Sequence, residues 1–303
     1  MSEVSKETLI VSGATGWLGM ELLERLSRPV DLLSPDTILI SSTSKILKIS
    51  SGREFECKPY DEVVLPNKAD GFVNLAFLTR EKVTKFGYES FVLRNLELIS
   101  QACKVIEKTK PKWVVTVSSG AVLKRGTSVV ETDIKANPYG FLKRVEELLI
   151  ADAARKVGAT SIVGRLWGAS GRFMPRHPDY ALSDFLCSAL DDQVVHIRSS
   201  NKVWRRQCDA GEFMGVLLAL AHEGVDRTLD SGGELIEIGD LAQEVVKHFP
   251  SVSISREPAN QGREDDYYSR SREFDNEASR LGIRLSSIEE QVSRTLLGHR
   301  ILT

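Results

Sequence analysis

The stretch Leu9–Leu26, LIVSGATGWLGMELLERL, places three glycines between an apolar run and a helical pattern. The run at 9–11 predicts a short strand, and leucines three and four residues apart predict a helix over 17–27. A glycine loop between a strand and a helix lets backbone amides approach an anion, and the helix N-terminus favours negative charge. The stretch therefore predicts a cradle for the phosphates of a dinucleotide, and a tight turn without a ligand is the alternative. Its glycines are Gly13, Gly16 and Gly19.

Short apolar runs and helical patterns alternate through the first 170 residues. The strand-like runs after the first are 37–41, 71–76, 113–119 and 160–167, and the helical patterns are 88–108 and 138–157. Apolar strands separated by helices indicate a parallel sheet covered on both faces. The predicted fold is α/β, a doubly wound parallel (Rossmann) sheet over residues 1–170. A smaller C-terminal α/β substrate domain is expected over 171–303, with short returns to the Rossmann sheet.

Beyond residue 170 the regular alternation of strand-like runs and helical patterns is lost. A helix is expected over 181–190 and a short strand over 193–197. The polar segment 254–280 is interpreted as a surface loop, and a helical pattern resumes over 278–297. No internal repeat is visible.

The composition excludes several classes of function. The chain has 303 residues, a net charge of −2, 42% hydrophobic and 27% charged residues, which gives no basic footprint for nucleic acid or an anionic membrane. No apolar run approaches the roughly 20 residues that span a bilayer, and the N-terminus has no signal-peptide pattern, so a cytoplasmic protein is expected. Four cysteines lie far apart without metal-ligand spacing, which predicts free thiols and no metal site.

The end of the second predicted strand bears on the choice of cofactor. An acidic residue there binds the ribose 2′-hydroxyl of NAD, and this chain has none in ISSTSKILK. The hydroxyls and the ammonium of this stretch favour NADP(H) over NAD(H), with an ordinary polar loop as the alternative. The residues concerned are Ser41, Ser42, Thr43 and Lys45.

Tyr139 and Lys143 lie one turn apart at the start of a predicted helix, after the N-cap Asn137 and Pro138. A phenol has a pKa of about 10, and a neighbouring ammonium favours the phenolate, so the pair is a candidate general acid and base. Ser118 and Ser119 end the predicted strand 113–119, where a hydroxyl can hydrogen-bond a substrate oxygen. Taken alone, each of these features is also common as a surface pair or a strand-end turn.

Together, the glycine loop, the strand-end serine and the Tyr-x-x-x-Lys spacing resemble the extended short-chain dehydrogenases/reductases. Within them, the chain resembles the NAD(P)-dependent epimerase/dehydratase family, which acts mostly on nucleotide-activated sugars. The resemblance covers nearly the whole chain and implies Ser119, Tyr139 and Lys143 as the catalytic residues, with Ser118 as the alternative serine. It implies that Lys143 binds the nicotinamide ribose and lowers the pKa of Tyr139. The resemblance implies that Tyr139, Lys143, the three glycines and Ser41, Ser42, Thr43 and Lys45 contact the cofactor. It implies further cofactor contacts at Thr15, Trp17, Leu18, Asp61, Leu75, Ala76 and Asn95.

The resemblance also implies a substrate and a mode of assembly. Ser119, Arg165 and Arg205 are expected to bind a nucleotide sugar, and two helices with apolar stripes, 88–103 and 139–154, are expected to form a homodimer interface. Gly168 and Arg206 depart from the family pattern, which makes the substrate contacts unusual. Gly120-Ala121 stands where dehydratases carry an Asp-Glu pair, which argues against elimination of water.

The function expected from the sequence is therefore an NADPH-dependent ketoreductase acting on a nucleotide-activated 4-keto(-6-deoxy) sugar. The alternatives are an NAD-dependent nucleotide-sugar epimerase, a non-catalytic NADP-binding or sensing protein, and a reductase with a non-sugar substrate.

Overall fold

The computed structural model of the protein describes residues 7–27, 37–191, 194–256 and 264–301. The strands of its N-terminal half are β1 (Leu9–Ser12), β2 (Ile38–Ser41), β3 (Lys45–Lys48), β4 (Glu54–Pro59), β5 (Gly71–Asn74), β6 (Trp113–Ser119) and β7 (Thr160–Leu166). The later strands are β8 (Gly168–Ser170), β9 (Val195–Ile197), β10 (Lys202–Asp209), β11 (Arg227–Asp230), β12 (Glu234–Glu237), β13 (Ile254–Arg256) and β14 (Glu264–Asp266).

The helices are α1 (Trp17–Leu26), α2 (Lys82–Phe86), α3 (Tyr88–Thr109), α4 (Pro138–Lys156), α5 (Ala181–Leu190), α6 (Ala210–His222), α7 (Ile238–Val246), α8 (Glu273–Arg280) and α9 (Ile288–Ile301). None of the helices in the described ranges is long and apolar enough to cross a bilayer.

Contacts between residues group the chain into two compact units. The first is drawn from residues 1–123, 130–165 and 214–229, as far as these are described, and the second from 124–129, 166–213 and 230–303. The predicted boundary near residue 170 is close to the main change of unit, but the division into two functional domains stays a prediction.

A large sheet organises the first unit, with strand order β11-β7-β6-β5-β1-β2-β4-β3. The pairs β1–β2, β1–β5, β2–β4 and β5–β6 are parallel, and β3 adds an antiparallel edge on β4. Because the order reverses between β5 and β2 around β1, the carboxyl ends of β1 and its neighbours form a switch point, where such sheets bind ligands. The predicted doubly wound α/β fold is confirmed.

The central strands are apolar because helices cover the sheet. Ile10, Phe72 and Val114, from three neighbouring strands, are fully buried. Ile106 of α3 and Ile150 of α4 belong to the same core cluster, so the buried faces of both helices pack on this sheet. Burial of apolar surface is the main source of stability for such a layer.

In the second unit, β10 pairs with β12 antiparallel and with β14 and β8 in parallel, and β9 pairs with β13. Phe213 and Phe274 stack with ring centroids 5.6 Å apart in its core. The polar segment 254–280, expected to be a surface loop, contains β13, β14 and α8 in its described part, so that expectation was wrong. The helical pattern over 278–297 is divided into α8 and α9, separated by residues 281–287.

The four cysteines are free thiols, as expected. The strands β3 and β4 and helix α6 were not expected from the sequence. The strand expected over 193–197 is observed as β9, and residue 193 lies outside the described residues.

Candidate active site

The glycine loop joins β1 to α1 at the switch point. Gly13 has φ of +72°, and a Cβ there would lie 2.6 Å from the carbonyl carbon of Leu75. A Cβ at Gly19 would lie 2.4 Å from the carbonyl oxygen of Ala14. The protein's own backbone therefore requires glycine at these two positions, the first for its conformation and the second for close packing.

Gly16 is different, because it is exposed and caps the N-terminus of α1. Among the described residues, and apart from its neighbours along the chain, a Cβ there would meet only the Gly13 carbonyl oxygen, at 3.3 Å. Space beside Gly16 next to a helix N-terminus suits an approaching phosphate. The predicted contacts Thr15, in this loop, and Trp17 and Leu18, at the start of α1, are partly buried.

The loop after β2 is polar, as the sequence predicted, but a carboxylate from outside the loop lies beside it. The Ser41 hydroxyl donates to the Thr43 carbonyl oxygen at 2.5 Å. Ser44 donates to Glu62 Oε2 at 2.8 Å, which places a negative charge beside this loop. Among the other predicted contacts, Ser42, Thr43, Lys45 and Asp61 are exposed.

The start of α4 is fixed against the turn that follows β6. Asn137 caps the helix by accepting from the Gly140 amide at 2.9 Å, and its Nδ2 donates to the Ala121 carbonyl oxygen at 3.1 Å. A Cβ at Gly140 would lie 1.9 Å from the same carbonyl oxygen, so only glycine permits this approach. Ser119 Oγ accepts from the Ala121 amide at 3.2 Å. This packing brings Tyr139, at the second position of α4, to the serine that ends β6.

Tyr139 is partly buried and interacts with Ser119. Burial raises the pKa of its phenol to about 12; the Ser119 hydrogen bond and the charge of Arg80 lower the pKa, while Glu146 and Glu81 raise it. The Arg80 guanidinium lies 5.9 Å from the centroid of the phenol ring, and the Phe77 ring meets the phenol edge-on at 5.8 Å. Tyr139 therefore keeps its proton at neutral pH and can donate it to a developing oxyanion.

Lys143 is buried, and its ammonium is bound within the protein. It donates to the Val117 carbonyl oxygen at 2.8 Å and forms an ion pair with Glu146 Oε2, also at 2.8 Å. The ring centroid of Phe77 lies 3.9 Å from the same nitrogen. The expected proximity of Lys143 and Tyr139 on one helical face is present, but the carboxylate of Glu146 offsets the charge of the ammonium.

Glu146 is fully buried and joins Lys143 to two strands. Its Oε1 accepts from Asn74 Nδ2 at 2.8 Å, and Asn74 Oδ1 accepts from the Ser12 hydroxyl at 2.7 Å. Burial raises the pKa of Glu146, and Lys143 and Asn74 oppose that shift. The chain Ser12–Asn74–Glu146–Lys143 thus connects the carboxyl ends of β1 and β5 to α4.

The neighbouring Glu147 binds a different cation. Arg165 donates to both carboxylate oxygens of Glu147 at 2.8 Å, and Arg144 donates to Oε2 at 2.8 Å. Although burial acts in the opposite direction, the bonds from Arg165 and Arg144 lower the pKa of Glu147. Arg165, predicted to bind substrate, is thus engaged in a bidentate pair, and its role as a substrate contact stays a prediction.

The remaining predicted residues are placed as follows. Asn95 is fully buried and accepts from the Leu78 amide at 2.8 Å, so it anchors the loop that contains Leu75 and Ala76. Arg205, in the second unit, donates to the Trp204 carbonyl oxygen at 2.8 Å, and its guanidinium lies 5.3 Å from the Tyr267 ring centroid.

The two departures at Gly168 and Arg206 have structural reasons. A Cβ at Gly168 would lie 2.4 Å from the Arg206 carbonyl oxygen, because β8 packs closely against β10. Arg206 is buried and donates to the carbonyl oxygens of Gly233 and Ser271, and it pairs with Asp275.

Sequence reasoning missed the residues that surround the catalytic candidates. Glu146 and Glu147 were visible at helical spacing from Lys143, but nothing in the sequence showed that they are buried. Phe77 and Arg80 follow β5 in a loop, and their contact with Tyr139 depends on tertiary structure.

The sequence and fold were compared with known proteins. The family model described as NAD dependent epimerase/dehydratase family matches residues 9–239. Among curated proteins, no sequence matches the chain at the significance required of a relative.

Solved structures share the fold at low identity. A UDP-N-acetylglucosamine 4-epimerase from Methanobrevibacter ruminantium M1, in complex with UDP-N-acetylmuramic acid, is 15% identical with a TM-score of 0.75, covering 98% of this chain and 99% of its own. A UDP-N-acetylglucosamine 4-epimerase from Bacillus cereus is 17% identical with a TM-score of 0.69, covering 96% of each chain. A UDP-glucuronic acid 4-epimerase from Bacillus cereus, in complex with NAD, is 14% identical with a TM-score of 0.72, covering 97% and 99%.

Proposed function

Because the chain belongs to the NAD dependent epimerase/dehydratase family, we propose that it is an NAD-dependent epimerase acting on a nucleotide-activated sugar. One observation carries the proposal: Tyr139 and Ser119 interact at the carboxyl edge of the parallel sheet, which also carries the glycine loop. The three solved 4-epimerases of this fold support epimerisation better than the net reduction that the sequence suggested.

The residues at the phosphate end fit a dinucleotide. Gly16 leaves space at the N-terminus of α1, beside a loop whose other glycines are required by the backbone. A bound nicotinamide would supply the hydride acceptor and donor. The chain's own residues would hold the substrate oxygen and move its proton.

Tyr139 is the proposed proton-transfer group. Its phenol, with a pKa of about 12, keeps a proton at neutral pH and gives it to the oxygen of a ketone as that oxygen gains charge. Ser119 donates a hydrogen bond to the same oxygen. In the opposite half of an epimerisation the deprotonated phenolate must accept the proton of the substrate hydroxyl, and the positive charge of Arg80 favours that phenolate by lowering the pKa.

We propose NAD rather than NADP as the cofactor, which revises the expectation from the sequence. The carboxylate of Glu62 accepts from Ser44 at 2.8 Å, and its charge beside the loop after β2 would repel a 2′-phosphate. The Bacillus cereus UDP-glucuronic acid 4-epimerase is likewise described in complex with NAD.

A second candidate is the NADPH-dependent ketoreductase of a nucleotide-linked 4-keto sugar. The observation that favours it is the exposed Ser42, Thr43 and Lys45, which offer donors and one positive charge at the end of β2. Titration of the protein with NADH and NADPH separates the two candidates at this step, because the epimerase proposal requires tighter binding of NADH.

The proposed assembly is a homodimer through α3 and α4. Leucines with 39–67% of their surface exposed lie on these helices, where a second copy could cover them. They are Leu93, Leu96, Leu148 and Leu149. Arg165 and Arg205 remain the proposed contacts to the substrate's phosphates, since guanidinium groups bind such groups through paired hydrogen bonds.

The test of the function uses UDP-N-acetylglucosamine, UDP-glucose and UDP-glucuronic acid, with NAD added, and follows the C4 epimer by proton NMR. We expect the wild-type protein and a matched control, Tyr60→Phe, to convert at least one of these sugars. Tyr139→Phe should be slower by about 100-fold or more, the usual loss when a general acid is removed. Near-wild-type conversion by Tyr139→Phe would exclude the proton-transfer role. Consumption of NADPH with a 4-keto-6-deoxy sugar nucleotide, without epimerisation of any UDP sugar, would establish the reductase instead.

A further inference from the structure

The ammonium of Lys143 makes three close contacts with described residues. An ammonium group has three N–H donors. One donates to the Val117 carbonyl oxygen and one to Glu146, both at 2.8 Å. The Phe77 ring lies over the same nitrogen at 3.9 Å, a distance typical of a close cation–π contact. Only 6% of the Lys143 side chain is exposed, so little of it is open to a ligand while the three contacts persist.

Phe77 is the most easily displaced of the three groups. It lies in the loop after β5 and is partly exposed, whereas Glu146 and the Val117 carbonyl belong to buried elements. The loop is anchored one residue later, where the Leu78 amide donates to Asn95 at 2.8 Å. Rotation of the Phe77 side chain can therefore uncover Lys143 without unpacking the sheet.

We propose that Phe77 is a specificity-determining residue that covers Lys143 and must move aside before the nicotinamide half of a dinucleotide can bind. This inference rests on the proposed function, which requires a nicotinamide cofactor whose ribose binds Lys143. The glycine loop is separate from this contact, since its space beside Gly16 is open. The chain should accordingly bind the adenosine diphosphate half of the cofactor without hindrance and bind the nicotinamide half only at the cost of the contacts of Phe77 with Lys143 and Tyr139.

The size of the effect follows from the contact that is lost. A cation–π contact at a largely desolvated site stabilises by an amount that corresponds to roughly tenfold or more in an equilibrium constant. Replacing Phe77 by alanine should therefore tighten NADH binding by about tenfold and leave ADP binding within about twofold of the wild type. Phe77→Leu keeps the apolar bulk but removes the aromatic face, and an intermediate gain is expected.

The experiment is isothermal titration calorimetry of the full chain with NADH and, separately, with ADP. Phe77→Ala and Phe77→Leu are compared with the wild type and with Phe86→Ala, a partly buried phenylalanine whose ring contacts Arg94 and Lys85 instead. Circular dichroism and thermal melting show whether each variant is folded. If Phe77→Ala is unfolded, the comparison is made with Phe77→Leu.

The two ligands distinguish failure of the inference from failure of the proposed function. The inference is supported if the Phe77 variants bind NADH, but not ADP, more tightly than the wild type and Phe86→Ala does not. If the Phe77 variants bind NADH and ADP more tightly by the same factor, or do not bind NADH more tightly, the proposed role of Phe77 is wrong. Binding of ADP by the wild type would in that case still support the proposed cofactor site. If the wild type and the variants bind neither ligand, the proposed function fails and the inference fails with it.

Discussion

The buried pair of Lys143 and Glu146 gives the sharpest prediction for stability. Replacement of Glu146 by leucine leaves a buried ammonium with one hydrogen bond, to the Val117 carbonyl oxygen, and removes the acceptor of Asn74 Nδ2. Breaking a buried ion pair by removal of one partner costs about 3–5 kcal/mol. Lys143→Met leaves an uncompensated buried carboxylate, and a loss of about the same size, 3–5 kcal/mol, is expected.

The double variant should lose less than the sum of the two single losses. With Lys143→Met and Glu146→Leu together, neither charge of the pair remains, and the remaining defects are the Asn74 amide and the Val117 carbonyl oxygen, which lose their partners at a cost of about 1–3 kcal/mol each. Simple addition of the single losses would give roughly 6–10 kcal/mol. The expected coupling therefore amounts to several kcal/mol and is large compared with the error of the measurement.

The assay is urea unfolding at pH 7, followed by circular dichroism and by tryptophan fluorescence to check that both probes report one transition. The matched control is the pair Lys156–Asp152 on the same helix, which has the same 2.8 Å separation but is largely exposed. Its coupling should be small, because solvent screens exposed charges. A double variant at 143 and 146 that loses the full sum of the single losses would refute the reasoning, since it would show that the two charges do not compensate each other.

Two further predictions concern the surroundings of the site and the second unit. Glu147→Gln should lower the free energy of unfolding by about 1–3 kcal/mol at pH 7, where the carboxylate binds Arg165. The pKa of Glu147 is lowered in the folded state. Its contribution to the free energy of unfolding is therefore fully present above pH 4.5, the ordinary pKa, and is lost as the pH falls below that value. Urea unfolding at pH 7 and pH 4 should show the difference from wild type shrinking at the lower pH, and a difference independent of pH would contradict the assignment. Gly168→Ala places a Cβ 2.4 Å from the Arg206 carbonyl oxygen and should destabilise the protein by about 1–3 kcal/mol, as thermal melting can measure. A variant as stable as the wild type would mean that β8 moves away from β10 at no cost.

The sequence predicts those parts of the molecule whose cause is local. The glycine spacing, the apolar strands and the i, i+4 relation of Tyr139 and Lys143 depend on neighbours along the chain, and each was predicted. The strands β3 and β4 were missed because they lie at the edge of the sheet, where KILK and EFECKP have one buried face at most. Helix α6 was missed because its residues are apolar nearly all round, which removes the periodicity that marks a surface helix.

The environment of the site depends on contacts between distant residues. A glutamate three residues after a lysine predicts an exposed helical pair, and only the packing of α4 on β5 and β6 shows that both charges are buried. The polar loop after β2 has no acid of its own, and the carboxylate beside it comes from Glu62, 18 residues beyond Ser44. The proposal of NAD as the cofactor therefore rests on a charge that lies outside the sequence motif.

Asn74 of β5 and Lys143 and Glu146 of α4 depend on one another for their hydrogen bonds and charges. A buried carboxylate at 146 needs donors on both oxygens, and Lys143 supplies one and Asn74 the other. An amide suits position 74, because it donates to Glu146 and accepts from Ser12 at the same time. The ion pair in turn neutralises Lys143, so that an aromatic ring can cover the ammonium without leaving a free buried charge. Release of Lys143 toward a ligand would therefore require movement of Phe77 alone, while Glu146 continues to hold the side chain in place.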